Sequence, residues 1–407
     1  MKKIKLIFLS LLFTFSLLTL AGCSSDYKKK DDIEAKSPNQ TFEIKVYDID
    51  DELLGDKTLV SGSYSSLFEA LTKNFDVVSK TTDYGNYITS INNSVVDSNY
   101  SIMIYENNTL ASVGIDSLTI DAGDLFEFKV ECWNTISSGY GTMDDYDVKV
   151  DKVFYHYAKT YMKEAISSAT TYTDSNYWNY MINNLMISNC YDNNLFKTIE
   201  NSALKSSVDG TDITTLSKAN IGKYYYAAKS LGINLDTFKT WYQTYINNIS
   251  TTYSDYETPF EISAAKSLNI TSTNLEALVS NASNASTTWG PDALVWQVSS
   301  LAMFNKYSDN SVLSNFNYRN TEYGCTSLAI QLMAFAALNV SPRDSAYEVD
   351  SKDIIEVLLD DFYDDSLKLI KVTKTDTTTN YSTNQIYASL AAYKVSRDKG
   401  IKAYIFA

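Results

Sequence analysis

Cysteine, proline, glycine and histidine are all scarce in this chain of 407 residues, with four Cys, four Pro, 14 Gly and a single His. Setting Cys23 apart, Cys132, Cys190 and Cys325 are an odd number and cannot form a disulfide framework. A Cys190–Cys325 bridge stays open, but lone buried thiols are the first expectation. One histidine excludes any site that needs several imidazoles. No Gly-x-Ser-x-Gly elbow, His-Glu-x-x-His helix or Walker loop occurs. Basic residues are also short, 34 against 49 acidic, for a net charge of −15. Such a global field draws neither nucleic acid nor anionic lipid, so no nucleic-acid partner is expected.

What is present begins at the N-terminus. Lys2, Lys3 and Lys5 precede an uncharged run from Leu6 to Leu20. That run is short for a spanning helix but suits the apolar core of a signal peptide. Leu20-Ala21-Gly22-Cys23 follows and resembles the lipobox of bacterial lipoproteins. The resemblance implies a signal peptide over residues 1–22 and a diacylglyceryl anchor on Cys23. It places the protein at the extracytoplasmic face, with the lipid bilayer as partner. Two or three acyl chains at about 0.8 kcal/mol per buried CH₂ hold a protein durably. No later apolar run approaches about 18 residues, so no other span is expected. Removing the three lysines takes the charge to −18. Residues 23–40, with Lys28-Lys29-Lys30 and Ser37-Pro38, read as a flexible tether.

From Thr41 the pattern turns to strands. Phe42, Ile44 and Val46 alternate with polar neighbours, and Phe126, Phe128, Val130 and Cys132 do so again after the turn Asp121-Ala122-Gly123-Asp124. Ser66 and Glu69 predict a capping box before Leu67, Ala70 and Leu71. Further strands are expected at Tyr87–Ile91 and Ile102–Tyr105. The order strand, Ser-Leu-Phe-Glu-Ala-Leu helix, Tyr87-Ile88-Thr89-Ser90-Ile91-Asn92, Ser112-Val113-Gly114 and Ala122-Gly123-Asp124 resembles the transcobalamin C-terminal-like β-domain. The resemblance implies a small α+β, β-grasp-like domain over residues 41–134. Asn92-Asn93 replaces the usual Asn-Gly, and Asn107-Asn108 stands at the hairpin turn without the usual Trp before it. In animal members that hairpin approaches cobalamin, which makes Tyr105, Asn107 and Ser112 ligand-binding candidates.

Residues 135–146 read as a polar hinge around Ser137-Ser138-Gly139-Tyr140-Gly141, and residues 147–407 as helices. Ala227-Ala228-Lys229-Ser230-Leu231-Gly232-Ile233-Asn234 recurs as Ala264-Ala265-Lys266-Ser267-Leu268-Asn269-Ile270-Thr271 and, looser, as Ala334 to Ser341. A decayed copy is expected to end near Asn305, and Ala388-Ser389-Leu390-Ala391-Ala392 reads as the last. A period near 37 residues means one helical hairpin per repeat. The Ala pairs just before the helix ends resemble the α/α toroid of terpenoid cyclases, prenyltransferase β-subunits, complement thioester domains and cobalamin carriers. The expected fold class is therefore multidomain: a small α+β domain followed by an all-α toroid.

Chemistry is sparse. Asp360-Asp361-Phe362-Tyr363-Asp364 matches the Asp-rich signature of class I terpene synthases, but its place predicts a solvated hairpin turn. The prenyltransferase zinc set cannot be assembled from one His. His156 is a candidate cobalt ligand set against an ordinary packed residue. No catalytic residue is assigned, no cofactor is required and no enzyme activity is expected. Tyrosine is abundant, 32 in all, and suits binding. In a toroid the ligand faces the N-terminal ends of the inner helices. The candidates there are Thr258 and Glu261, Asp292 with Trp296 and Gln297, Tyr323 with Thr326, and Tyr381 with Thr383 and Gln385. The resemblances together imply a corrinoid such as cobalamin, held between the two domains for an uptake transporter. An adhesin that binds peptide or glycan is the alternative, and a toroid enzyme such as a polysaccharide lyase stands third.

Overall fold

The computed structural model describes residues 40–94, 99–133, 143–162, 202–286, 290–307, 310–316, 324–373, 375 and 381–404. Cys23, the expected signal peptide, the tether, most of the expected hinge and Cys190 lie outside them. The N-terminal part is rich in sheet. Strands β1 (Thr41–Tyr47), β2 (Leu53–Val60), β5 (Tyr100–Glu106), β6 (Thr109–Leu110) and β7 (Leu125–Cys132) form one sheet in the order β2-β1-β7-β5-β6. Strands β3 (Val77–Thr82) and β4 (Gly85–Ile91) form a separate hairpin, and helix α1 (Leu67–Asn74) precedes it. β1 and β7 run parallel with Ile44 opposite Phe126. That register puts Phe42, Ile44, Val46, Phe126 and Phe128 in one buried cluster with Leu67, Ala70 and Leu71 of α1. Each of these side chains except Ala70 contributes roughly 1.5–3 kcal/mol when fully buried.

Ser66 caps α1 by accepting from Glu69 N at 3.1 Å, while the Glu69 carboxylate takes Ser65 N and Oγ. One arm of the expected capping box is therefore shifted by a residue. Asn92 and Asn93 have φ of 49° and 60°, and Asn107 and Asn108 have 52° and 65°. Asn tolerates the left-handed region, so both Asn-Asn pairs make turns that Asn-Gly makes elsewhere. β2 and β3 are not foreshadowed by alternation: β2 is a polar edge and β3 is exposed along nearly its whole length.

The C-terminal part is helical. It comprises α2 (Asp145–Tyr157), α3 (Ser202–Asp209), α4 (Lys218–Ser230), α5 (Asp236–Asn247), α6 (Thr258–Ser267), α7 (Thr273–Asn284), α8 (Gly290–Ala302), α9 (Gly324–Ala329), α10 (Gln331–Leu338), α11 (Ile354–Asp361) and α12 (Tyr381–Lys399). A two-residue hairpin, β8 (Tyr363–Asp364) and β9 (Leu369–Ile370), follows α11. Alternate helices lie side by side, α4 on α6, α6 on α8, α8 on α10, α10 on α12, and α12 also meets α2. The residues of α6 from Thr258 to Ala265 and all of α10 are buried, as helices enclosed on every side must be. α5 and α7 bury a single stripe, Phe238, Tyr242 and Ile246 in one and Leu275, Leu278, Val279 and Ala282 in the other. They cover the enclosed row. Gly222 in α4 lets the α6 backbone approach, because a Cβ there would meet the Phe260 carbonyl carbon at 2.6 Å.

The repeat shows in the helix ends. Gly232, Asn269, Asn305 and Asn339 all have left-handed φ, and the next amide reaches back to Ala228, Ala265, Leu301 and Phe335 respectively. These are Schellman ends, and the decayed copy at Asn305 keeps its geometry after losing its sequence. The last copy differs. Ala391 and Ala392 sit mid-helix, and α12 runs on to Lys399 before Gly400 closes it. Among the described residues no helix is long and apolar enough to cross a membrane. Cys132 and Cys325 are free thiols. Residues 41–407 form one compact unit, and Ile49, Tyr100 and Val130 of the sheet region join the helical core.

Candidate functional site

The helix starts expected to line a funnel hold some unsatisfied polar groups. Asp292 opens α8, and its Oδ1 is buried with no hydrogen-bond partner; burial pushes its carboxyl up despite a hydrogen bond with Ser327 of α9. Thr326 Oγ1 and Asp255 Oδ1 are likewise buried without a partner among the described residues, though the Asp255 carboxylate is within hydrogen-bond reach of the Tyr253 hydroxyl. Asp292 and Asp255 both act on Tyr256, whose ring is exposed beside them. Trp296, one turn along α8 from Asp292, is buried against Phe260 with ring centroids 5.7 Å apart.

Other candidates are committed to the fold. Gln297 Nε2 donates to the carbonyls of Ala282 and Ala285, closing the end of α7. Thr258 Oγ1 accepts from Ser254 N, which ties the preceding turn to the first residue of α6. Glu261 is buried and accepts from Tyr245 Oη at 2.5 Å; burial pushes its carboxyl up to about 7. Thr383 is buried and Gln385 half-buried in α12. Tyr323 lies outside the described residues, as does the side chain of Tyr381. On the sheet, the Tyr105 hydroxyl donates to Glu131, and its ring lies 4.9 Å beneath Lys129 Nζ. Asn107 bridges Asp124 Oδ1 and Leu125 N, stapling the hairpin to β7, and Ser112 is exposed. The sheet candidates and the helix-start candidates share no described contact.

A groove of about 410 Å³ lies elsewhere, lined by Lys266, Thr271, Glu276, Phe304 and Lys306 at the C-terminal ends of the enclosed helices. It touches none of the expected site residues. The Asp360–Asp364 motif is not the expected solvated turn: it runs from the last turn of α11 through the buried Phe362 into β8. Asp360 pairs with Lys352 at 2.6 Å and Asp364 with Lys371 at 3.0 Å.

Sequence reading missed the two places where the sheet meets the helices, both on α2. In the first, Asp151 is fully buried. It receives Arg397 Nη2 at 2.7 and 2.8 Å, Lys394 Nζ at 3.2 Å and the Tyr100 hydroxyl at 2.9 Å. Asp147 accepts from Tyr393 Oη at 2.6 Å and pairs with Arg343 at 3.4 Å.

The second is built by the β1–β2 turn, Asp48-Ile49-Asp50-Asp51-Glu52, against the end of α2. Asp48 accepts from Glu52 N through Oδ1 and from Lys159 Nζ through Oδ2 at 2.5 Å. His156 Nδ1 lies 2.7 Å from Asp50 Oδ2 and 3.7 Å from Glu52 Oε1. Lys159 also takes Glu52 Oε2 at 3.0 Å, while Lys368 stands off at 4.0 Å from Asp50 and 3.7 Å from Glu52. Burial and the neighbouring Asp50 push the Asp48 carboxyl up to about 6. Burial acts the same way on Asp50, but hydrogen bonds with His156 and Asp48 and the two lysines hold it well below the usual range. Two adjacent carboxyls cannot both ionise cheaply, so Asp48 keeps a proton that Asp50 gives up. His156, the one residue here singled out in the sequence, is buried in this network. The only signal for its partners was the density of acid after β1.

Comparison with known proteins bears on the sheet. A family described as a domain of unknown function (DUF4430), which is transcobalamin-like, matches residues 65–131. A candidate metal binding protein from Ruminococcus gnavus ATCC 29149 aligns at 20% identity over 23% of this chain and 97% of its own, with a TM-score of 0.21. No curated protein matches.

Proposed function

We propose that this protein is a non-enzymatic binding lipoprotein, held by a lipid on Cys23 at the extracytoplasmic face, that captures a corrinoid for an uptake system. The helical part is read as an α/α toroid whose enclosed helices present their N-terminal ends to the ligand. One observation carries the reading: Asp292 at the start of α8 keeps a buried oxygen without a partner among the described residues, beside the exposed ring of Tyr256, and Thr326 near the start of α9 keeps another. Buried oxygens in that state are costly, about 1–3 kcal/mol each, and amide donors on a corrinoid would relieve them. The transcobalamin-like domain supports the ligand class.

The test is calorimetry and absorption spectroscopy on the detergent-solubilised full chain with several corrinoids. Micromolar affinity or better, about −8 kcal/mol, is expected, and Trp296→Ala or Asp292→Ala should weaken it at least about tenfold. No heat and no spectral change at high micromolar corrinoid would sink the reading and favour an adhesin for peptide or glycan.

A further inference from the structure

The β1–β2 turn and the end of α2 bring three donors together with an incomplete set of partners. We propose that Asp50, Glu52 and His156 bind one divalent first-row metal ion, zinc foremost, which ties the transcobalamin-like sheet to the helices. The ligating atoms all lie within 4.8 Å of one another. Tetrahedral zinc, with bonds of about 2.0–2.1 Å, wants its donors about 3.3 Å apart. The 2.7 Å and 3.7 Å separations at His156 Nδ1 bracket that value, so small side-chain shifts open the site.

An independent observation points to a missing cation. The Asp50 side chain is 3% exposed, and apart from the neighbouring Asp48 carboxyl its Oδ1 has no hydrogen-bond partner among the described residues. A desolvated carboxylate set against a second carboxyl is unfavourable, and a metal ion would offset that cost. The cations already present do not fill the place. Lys159 is occupied by Asp48 Oδ2 and Glu52 Oε2, leaving Glu52 Oε1 for a ligand. Lys368 donates to the Asp50 backbone carbonyl at 3.4 Å but is beyond hydrogen-bond range of either carboxylate and 37% exposed, so it leaves their oxygens open to a metal ion.

The donor set selects the metal. Two carboxylates balance a divalent charge, and an imidazole favours zinc, nickel or copper over calcium or magnesium. Ligation through Nδ1 needs that nitrogen unprotonated. The ion therefore replaces the proton lying between His156 and Asp50, which leaves to solvent as the metal–nitrogen bond forms. A water completes the coordination.

The experiment is zinc binding to the chelator-stripped full chain in detergent, followed by metal analysis, with cobalt(II) as a spectroscopic stand-in. One zinc per chain is expected, and cobalt should give the intense visible absorption of a four-coordinate site. His156→Gln should lose that band and at least about tenfold in affinity. Asp51→Asn, a neighbour outside the donor set, should leave both unchanged. Lys368→Met removes the competing cation and should tighten zinc at least about threefold. Substoichiometric zinc at 100 micromolar free ion (an order-of-magnitude ceiling about a hundredfold above a micromolar site), or parental binding by His156→Gln, overturns the proposal. If His156→Gln does not fold, an unchanged affinity in Lys368→Met overturns it instead. Corrinoid binding rests on other residues and is scored separately.

Discussion

The two ionic clusters on α2 use the same residue types to opposite ends. Around Asp151 the charges are closed: Asp147, Asp151 and Asp398 meet Lys394 and Arg397, Arg343 reaches Asp147 from the rim, and Tyr100 and Tyr393 add donors. Around Asp50 they are open. Four acids in five residues face three lysines and a histidine, one lysine reaches only a backbone carbonyl, and Asp50 Oδ1 is left with no donor but the neighbouring Asp48 carboxyl among the described residues. A closed cluster fixes two parts of a fold against each other but offers nothing to a ligand. An open one holds the parts less well and can take up a proton or a cation. The sheet is thus locked at Tyr100 and conditionally fastened at Asp50.

The largest effect should come from breaking the closed cluster. Asp151→Ala leaves Arg397 and Lys394 buried without their shared acid and removes the acceptor for Tyr100. We expect a loss of about 3–5 kcal/mol, read from the urea midpoint. A loss below about 1 kcal/mol would mean that water reaches the cluster and that it is no tighter than the open one.

Legibility in the sequence followed the range of the interactions. Alternation over Phe42–Val46 and Phe126–Val130 is a local property, and so is the Ser66 cap; the sheet shows both. The helical repeat was readable because each copy ends on a residue that tolerates left-handed φ, a requirement that survives at Asn305 after the Ala pair has gone. The same logic misplaced the end of the last copy, since Ala391-Ala392 without a following Gly or Asn does not stop a helix. The α2 clusters were illegible because their partners lie far apart in sequence. Nothing near Asp50 names His156, 106 residues on, and nothing near Asp151 names Arg397, 246 residues on. Gln297 and Asn107 are polar residues of the type a binding site uses, yet the fold commits their hydrogen bonds to a helix end and a hairpin.

Glu261 offers an intermediate case, a buried carboxyl held by a phenol rather than closed by ion pairs. Its folded pKa, about 7, lies above the ordinary 4.5 because burial disfavours the charge. The folded state therefore binds the extra proton between those values. Its contribution to stability is complete below about pH 4.5 and is lost as pH rises through about 7. Comparing urea midpoints at pH 5 and pH 8, the parent should lose roughly 1–3 kcal/mol more than Glu261→Gln, which has no proton to give up. Equal pH dependence in the two would show that the carboxylate is stabilised as well as the closed cluster stabilises Asp151.

The smallest effect should come from the outer edge of the open cluster, at Asp51. It pairs with Lys152 at 2.7 Å, but the two side chains are 64% and 37% exposed, so solvent and salt screen the attraction. Asp51 also has φ of 63°, the left-handed region that Asp and Asn enter far more readily than other side chains. Asparagine removes the charge and keeps the backbone tolerance, so Asp51→Asn should cost no more than about 0.5 kcal/mol. Alanine loses both, and the left-handed conformation adds about 1–2 kcal/mol for an ordinary L-residue. The difference between the two variants, taken from denaturation midpoints in the same buffer, separates charge from backbone. If Asn costs as much as Ala, the ion pair is doing what the turn geometry was credited with. The β1–β2 turn would then be held by its charges as firmly as Asp151 is, and the contrast between an open and a closed cluster would fail.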